Sequence, residues 1–281
     1  MLTATVISRL RNAQSVVVFT GAGVSAESGI QTFRTGSDGL WEGVDPMTVA
    51  TPSAFKSNPQ KVWNFYAARA EVVRNANPNP AHVAIAKLAE LVQTTLITQN
   101  VDGLHQRAGS KDVIELHGHL LKLKPFIDES AAFGGDFDPV ICPICDGYAN
   151  PDLLDPYADD LQGIELVAGD VPICPCCGSL LRPAVVWFQE PLDPTVLSEA
   201  IAAVDRCDAL ICVGSSLQVE PAASMPYLAL ERGAVVIEVN PTPTPLSAMA
   251  SASLVGPAAE VLPQLLREVW QLDLNKYQGL K

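Results

Sequence analysis

Five groups of residues in this chain have types and spacings suited to chemistry. "TGAGVSAESGIQTFR" (20–34) carries Gly21 and Gly23, which permit a tight turn and close backbone approach to a phosphate, with the start of a helix behind them. A glycine-rich turn suits any strand-to-helix junction, but Ser25, Ser28, Gly29, Phe33 and Arg34 make this one longer and more unusual. "TQNVDGLHQRAG" (98–109) supplies Gln99, Asn100 and Asp102, which could grip a ribose or an amide, or simply form an Asn/Asp turn. In "ELHGHL" (115–120), His117 and His119 compete for the role of general base, against the plainer reading of a structural histidine. Cys142-x-x-Cys145 and Cys174-x-x-Cys177, twenty-eight residues apart, have the spacing of a tetrahedral zinc site. Four thiolates would close the coordination sphere, so such a site is structural; Cys176 is a spare thiol beside Cys177. In "WNFYAARAEVV" (63–73), Tyr66 and Arg69 stand three apart and would share one helix face, turned to solvent or to an anion.

Elements able to position these groups are visible around them. The 281 residues suffice for one large α/β domain, alone or with a small satellite, and 48% hydrophobic with 17% charged residues describe a globular chain. Short apolar runs alternate with helical patterns, which indicates parallel β-α units. "SVVVFT" (15–20), "TTLIT" (94–98), "AVVWF" (184–188), "ALICVG" (209–214) and "AVVIEVN" (234–240) are expected as buried strands. Cys207 and Cys212 flank one of them and are expected to pack. Ligands of an open α/β sheet bind at the carboxyl ends of its strands, where the glycine turn and the Gln99 to Asp102 stretch fall. "GSSLQVEPAA" (214–223), "EVNPTPTP" (238–245) and "GPAAEVLPQLL" (256–266) follow late strands at that edge and could line a nucleotide pocket. Asn79-Pro80 and Asp193-Pro194 each pair an N-cap residue with proline at the first helical position, and "PAASMPYLALERG" is expected as a helix ending at Gly233.

The alternation breaks twice. Residues 38–77 are proline-punctuated and then helical. Residues 126–181 have no lysine or arginine but eleven acidic residues and both cysteine pairs, as expected of an insertion with its own stabiliser. Those acids form a solvated loop surface or, alternatively, attract lysine-rich targets at long range. A net charge of −13 argues against nucleic-acid partners, and no apolar run reaches membrane-spanning length. The short stretch before "SVVVFT" leaves little room for a removable targeting segment, and the paired cysteines suit metal binding in a reducing compartment; a cytoplasmic protein is expected.

In one order along nearly the whole chain, these stretches resemble the sirtuins, the NAD-dependent protein lysine deacylases. "GAGVSAESGIQTFR" is similar to their GAGxSxxSGIPxFR, "TQNVDGLH" to TQNxDxLH, "ELHGHL" to the catalytic HG segment, "CPCCGSLLRPAVVWFQE" to CPxCGxxLRPxVVxFGE, and "GSSLQVEPA" to GTSxxVxPA. The resemblance implies a Rossmann-like NAD-binding domain at 1–37, 78–120 and 182–281, and a small domain from a helical insertion at 38–77 and a zinc-binding module at 121–181. Its zinc ligands would be Cys142, Cys145, Cys174 and Cys177. It ranks His117 above His119 as the base, with Asn100 and Asp102 beside it. Ala22, Phe33, Arg34, Gln99, Asn100, Asp102, Gly214, Ser215 and Asn240 would contact NAD, with Gly21, Gly23, Ser25, Ser216 and Ala258 in the same pocket. The acylated-lysine protein or peptide would lie as an added strand between "VWFQE" (Val186, Phe188, Gln189, Glu190) and "SLQVE" (Val219). The implied reaction begins with attack of the acyl oxygen on C1′ of the nicotinamide ribose and loss of nicotinamide. His117 then deprotonates a ribose hydroxyl, and O-acyl-ADP-ribose and free lysine result.

The resemblance also gives Tyr66 and Arg69 a meaning. Sirtuins that prefer acidic acyl groups present Tyr-x-x-Arg from a helical segment, and Ala50, sixteen residues before Tyr66, matches the small residue that widens their acyl channel. A guanidinium can grip a carboxylate through two charge-assisted hydrogen bonds, which lysine cannot copy. The implied activity is therefore desuccinylation or demalonylation with some deacetylation. Plain deacetylation, mono-ADP-ribosyl transfer and a non-catalytic NAD or ADP-ribose sensor are the alternatives, and a monomer is expected. Three features depart from the family: Gln31 replaces the usual proline, Gln189 replaces the glycine of FGE, and the spacing from His117 to Cys142 is longer.

Overall fold

The computed structural model describes residues 2–32, 43–126, 164–175 and 178–272. Among these, the strands are β1 Ser15–Thr20, β2 Gln93–Thr98, β3 Val113–Glu115, β4 Gly118–Pro125, β5 Leu181–Val185, β6 Ala209–Val213, β7 Val235–Asn240 and β8 Ala252–Val255. The chain falls into two compact units, one of Met1–Glu42, Ala76–His117 and Pro194–Lys281, the other of Gly43–Asn75 and Gly118–Asp193.

The first unit is built on a six-stranded sheet in the order β3-β2-β1-β6-β7-β8, with every pairing parallel. This is the doubly wound order, and its reversal point lies between β1 and β6. β6 and β7 are buried throughout, and β1 after its first residue, as apolar runs covered on both faces should be. Alternate residues serve opposite faces. Val16, Val18, Ile211, Val213, Ile237 and Val239 pack with Leu10, Ile85, Leu262 and Leu266. Val17, Phe19, Leu210, Cys212 and Val236 pack with Ala200, Val204, Met225 and Ala229 on the other side.

Helix boundaries follow the capping chemistry. Asn79 caps the helix Pro80–Leu88, reciprocated by His82 as the fourth residue of a capping box. Asp193 precedes the helix Pro194–Arg206. The expected helix over "PAASMPYLALERG" forms in two pieces, a 3₁₀ turn Ala222–Ser224 and the α-helix Met225–Glu231, with Gly233 in the left-handed region after it. The turn after β1 opens a 3₁₀ helix, Ala22–Ser28.

The second unit corrects one strand assignment. "AVVWF" contributes only its first residues to a strand, β5, and that strand pairs antiparallel with β4 in a separate two-stranded sheet. Residues 182–193 therefore group with the second unit, and so do 118–120, because β4 and β5 hold each other. Gly118 (φ +79°) makes the pairing possible, since a Cβ there would lie 2.1 Å from the Ala184 carbonyl oxygen. The long helix Pro59–Asn75 anchors the segment beyond residue 164: Trp63 Nε1 donates to the Val167 carbonyl (2.8 Å) and Arg74 to the Leu166 carbonyl (3.0 Å). Phe55, Phe126 and Trp187 form an aromatic cluster beside it, with Phe55 4.9 and 5.4 Å from the other two rings. No helix among the described residues is long and apolar enough to cross a membrane.

Candidate active site

The carboxyl edge of the large sheet gathers most of the polar residues singled out above. At the reversal point, Gly21, Gly23 and Gly214 lie backbone to backbone. Gly21 N donates to the Val213 carbonyl (3.0 Å), Gly23 N to the Gly214 carbonyl (2.8 Å) and Gly214 N to the Val239 carbonyl (2.9 Å). A Cβ on Gly23 would sit 2.7 Å from Gly214 Cα, and one on Gly214 (φ +61°) 2.4 Å from Val24 N. Bare backbone is required on both sides of this cradle.

Ser25 is the hub of the polar residues. Its hydroxyl donates to Asp102 Oδ2 (2.8 Å) and accepts from Asn100 Nδ2 (3.0 Å), with His82 Nε2 at 3.3 Å. Asn79 N donates to His82 Nδ1 (3.2 Å), so the ring proton sits on Nε2 and points to Ser25. Both hydroxyl lone pairs and its proton are thereby used. Asp102 Oδ1 accepts from Leu104 N (2.9 Å); burial holds this carboxyl above the ordinary range despite those hydrogen bonds. Asn100 Oδ1 is buried with no hydrogen-bond partner among the described residues, an acceptor left for a ligand.

His117 lies two residues beyond the end of β3. Its Nδ1 lies 3.0 Å from the Gln99 carbonyl oxygen, which can only accept, so Nδ1 carries the proton and Nε2 keeps its lone pair. Burial lowers its pKa, the hydrogen bond to Gln99 notwithstanding, so the ring is a neutral base at pH 7. His119 does not share this environment: its Nδ1 accepts from Leu121 N (3.1 Å) at the irregular register of β4. Further along the edge, Gln99 Nε2 donates to Ser215 Oγ (2.8 Å) and Asn240 Nδ2 to the Ser215 carbonyl (2.8 Å). Ser216 and Val219 are exposed in the loop that follows, Ala22 is half-buried in the glycine turn, and Ala258 is buried at the start of the helix Ala258–Trp270. Phe33 and Arg34 lie outside the described residues.

Two buried histidines escaped the sequence reading. His82 and His105 meet edge to face, 4.8 Å apart, and burial lowers them to about 4 and about 3. His105 Nε2 is 3.0 Å from Thr20 Oγ1, which donates to Thr98 Oγ1 (2.8 Å); Thr98 Oγ1 in turn accepts from Asn100 N (3.0 Å). One hydroxyl chain thus fixes the main chain of Asn100 while Ser25 fixes its side chain. His82 had a capping signal in the Asn79-Pro80 helix start, and His105 closes the "TQNVDGLH" stretch, whose pattern gives it no role of its own.

The second unit holds the Tyr66 and Arg69 group. Both lie on the helix Pro59–Asn75. Tyr66 is buried, stacks on Trp187 (6.2 Å between centroids) and has its phenol pKa pushed up by that burial. The Arg69 guanidinium lies over the Phe65 ring at 3.9 Å, and burial lowers it to about 10, still charged at pH 7. Ala50 is buried, and its carbonyl accepts from Phe188 N (3.0 Å). Tyr66 and Ala50 are thus tied to consecutive residues, Trp187 and Phe188. Val186 is half-buried, and Glu190 is bound by Arg182 in a bidentate pair, with Arg182 Nη2 to Glu190 Oε2 at 2.9 Å. Burial alone would raise the Glu190 carboxyl, but the hydrogen bonds and charge of Arg182 more than offset it and hold the group below the usual range. Of the four cysteines, Cys142, Cys145 and Cys177 lie outside the described residues, and no metal-binding cluster occurs among the described ones. Cys174 is buried in a tight turn, with Cys174 N donating to the Ser179 carbonyl (2.7 Å) and Gly178 N to the Cys174 carbonyl (2.9 Å).

Comparison with known proteins places this arrangement. The model of the Sir2 family matches residues 21–221. The chain belongs to the Sir2 family. It is 47% identical over 266 residues to a protein of Pseudomonas aeruginosa named NAD-dependent protein deacylase 1, covering 94% of this chain and 98% of that one. A Sir2 homologue solved with NAD superimposes with a TM-score of 0.77 at 41% identity, covering 96% and 95% of the two chains. Another, solved with ADP-ribose, gives 0.78 at 39% identity over the full length of both. Of the Sir2-type residues discussed above, only Asn240 and Ala258 fall outside the matched span.

Proposed function

We propose that this Sir2-family chain is an NAD-dependent protein lysine deacylase with a preference for acidic acyl groups. The observation that carries the reading is His117, a neutral base with its tautomer fixed by the Gln99 carbonyl, at the same sheet edge as the Ser25, Asn100 and Asp102 network. The glycine cradle and the open Asn100 Oδ1 fit a dinucleotide: bare backbone for the phosphates and an acceptor for a ribose hydroxyl. NAD, when bound, supplies the ribose carbon that takes the acyl oxygen and the nicotinamide that leaves. Asn100 orients the ribose, and Ser25 and Asp102 keep Asn100 in place. His117 Nε2 receives the proton of a ribose hydroxyl, freeing that oxygen for the acyl group. Overall, acyl-lysine, NAD and one water become lysine, nicotinamide and O-acyl-ADP-ribose.

The acyl preference rests on Arg69, a charged guanidinium 3.9 Å from the centre of the Phe65 ring, with the buried Tyr66 phenol one turn away on the same helix. Such a pair suits the terminal carboxylate of succinyl- or malonyl-lysine. Zinc at Cys142, Cys145, Cys174 and Cys177 enters as a structural metal, supported by the spacing of the two cysteine pairs. The test of the catalytic assignment is purified His117→Tyr protein, which should lose nicotinamide release and peptide deacylation together. Retention of the wild-type rate would refute it.

A further inference from the structure

The turn Trp187 to Glu190 carries an inference that rests on the deacylase reading and extends it. Glu190 N donates to the Trp187 carbonyl (3.1 Å), closing a β-turn. The third residue, Gln189, has φ +74°, where such turns ordinarily take glycine. The two ends of the turn are locked. Arg182 lies 3.2 Å over the Trp187 ring, binds Glu190 through both carboxylate oxygens, and reaches the Val185 carbonyl (2.7 Å); Trp187 N donates to Glu190 Oε2 (2.8 Å). Arg182 is 3% exposed, so this anchor is inside the unit. Phe188 and Gln189, between the locked ends, are exposed, Phe188 at 43%.

A side chain other than glycine in the left-handed region costs stability, and a rigid turn that tolerates the cost invites a functional explanation. Glycine at this point would offer an approaching peptide only main chain. Glutamine offers a carboxamide, one acceptor and two donors, from the exposed tip of a turn whose ends are locked. We propose that Gln189 is a specificity-determining residue: its carboxamide contacts the residue next to the acylated lysine and selects a polar side chain there. The Arg182 anchor holds the turn that carries Gln189, and the Phe188 N to Ala50 bond ties the tip to the segment assigned to the acyl group.

The experiment uses succinyl-lysine peptides with asparagine or leucine, similar in size, placed before or after the lysine. Affinity is measured by fluorescence anisotropy and turnover by nicotinamide release, for wild type, Gln189→Gly and Gln189→Ala. Wild type should favour the asparagine peptide on one side of the lysine by about five- to tenfold in Kd, the scale of one hydrogen bond. Both variants should bring that ratio within about twofold. Gln189→Ala keeps the backbone cost and loses the carboxamide with the methylene that carries it, so it separates side-chain contact from relief of strain. A wild-type ratio near one, or a ratio unchanged in both variants, overturns the inference alone. Selective binding without nicotinamide release contradicts the deacylase reading and supports the inference, whereas no binding of any peptide overturns both.

Discussion

Arg69 is the residue whose replacement says most about substrate choice. Its charge is retained at pH 7 although burial lowers it to about 10, and the guanidinium lies over the Phe65 ring. Arg69→Met keeps length and apolar stem but removes the guanidinium proposed to grip the carboxylate. In kcat/KM, the variant should lose succinyl- and malonyl-lysine activity by at least about tenfold, the loss of a charge-assisted hydrogen bond, and favour acetyl-lysine. An unchanged order of the three acyl groups would contradict the role. At the same scale, His82 and His105 give the fold an acid-sensitive point. Burial keeps both neutral, at about 4 and about 3, against about 6.5 in the unfolded chain. The unfolded state then binds more protons as pH falls, so the stability they contribute is intact above about 6.5 and is lost progressively towards 4 and 3. Asp102, raised by burial, works in the opposite direction at low pH. Urea unfolding at pH 7 and pH 5 should show a smaller drop for His82→Gln than for wild type; equal drops would remove His82 as a cause.

Among the elements, the glycine cradle between β1 and β6 is the most constrained. Gly214→Ala must place a Cβ 2.4 Å from Val24 N at φ +61°, where no flexible neighbour can yield. NAD affinity, followed by quenching of intrinsic fluorescence, should fall by at least about tenfold, since forcing apart backbone at a phosphate cradle costs upwards of about 1.4 kcal/mol. Wild-type affinity would mean the cradle is not the phosphate site. The core strands of this sheet were legible because their apolar runs are long and β-branched, as in "SVVVFT" and "VVIEVN". β3, β4 and β8 were not: β3 and β8 are short edge strands with little burial pattern, and β4 mixes lysines into an edge pair. "AVVWF" was misjudged because an apolar run of that length looks alike in a parallel sheet and in a two-stranded ribbon.

For the molecule as a whole, the motifs made the site readable while the supports behind it stayed hidden. Gly21, Ser25, Gln99, Asn100, Asp102 and Ser215 stood out as glycine turns and polar runs after strands. The Ser25 to His82 and Thr20 to His105 contacts span 57 and 85 residues, and no local pattern announces them. Gln189 was visible as a departure from FGE, but its left-handed backbone and locked turn were not. A structural zinc would act on the stability of the whole chain. One equivalent per chain is expected by metal analysis, and chelation should lower Tm by several degrees and abolish turnover, because closed thiolate sites contribute folding energy. Metal-free protein with an unchanged Tm would contradict a structural metal.

NAD-dependent deacylation with a preference for acidic acyl groups is decided by incubating the purified protein with NAD and matched acetyl-, succinyl- and malonyl-lysine peptides, following nicotinamide and deacylated peptide together. Equimolar release of both is expected, dependent on NAD, with succinyl and malonyl peptides turned over faster than acetyl. Absence of NAD-dependent deacylation with all three peptides would contradict it.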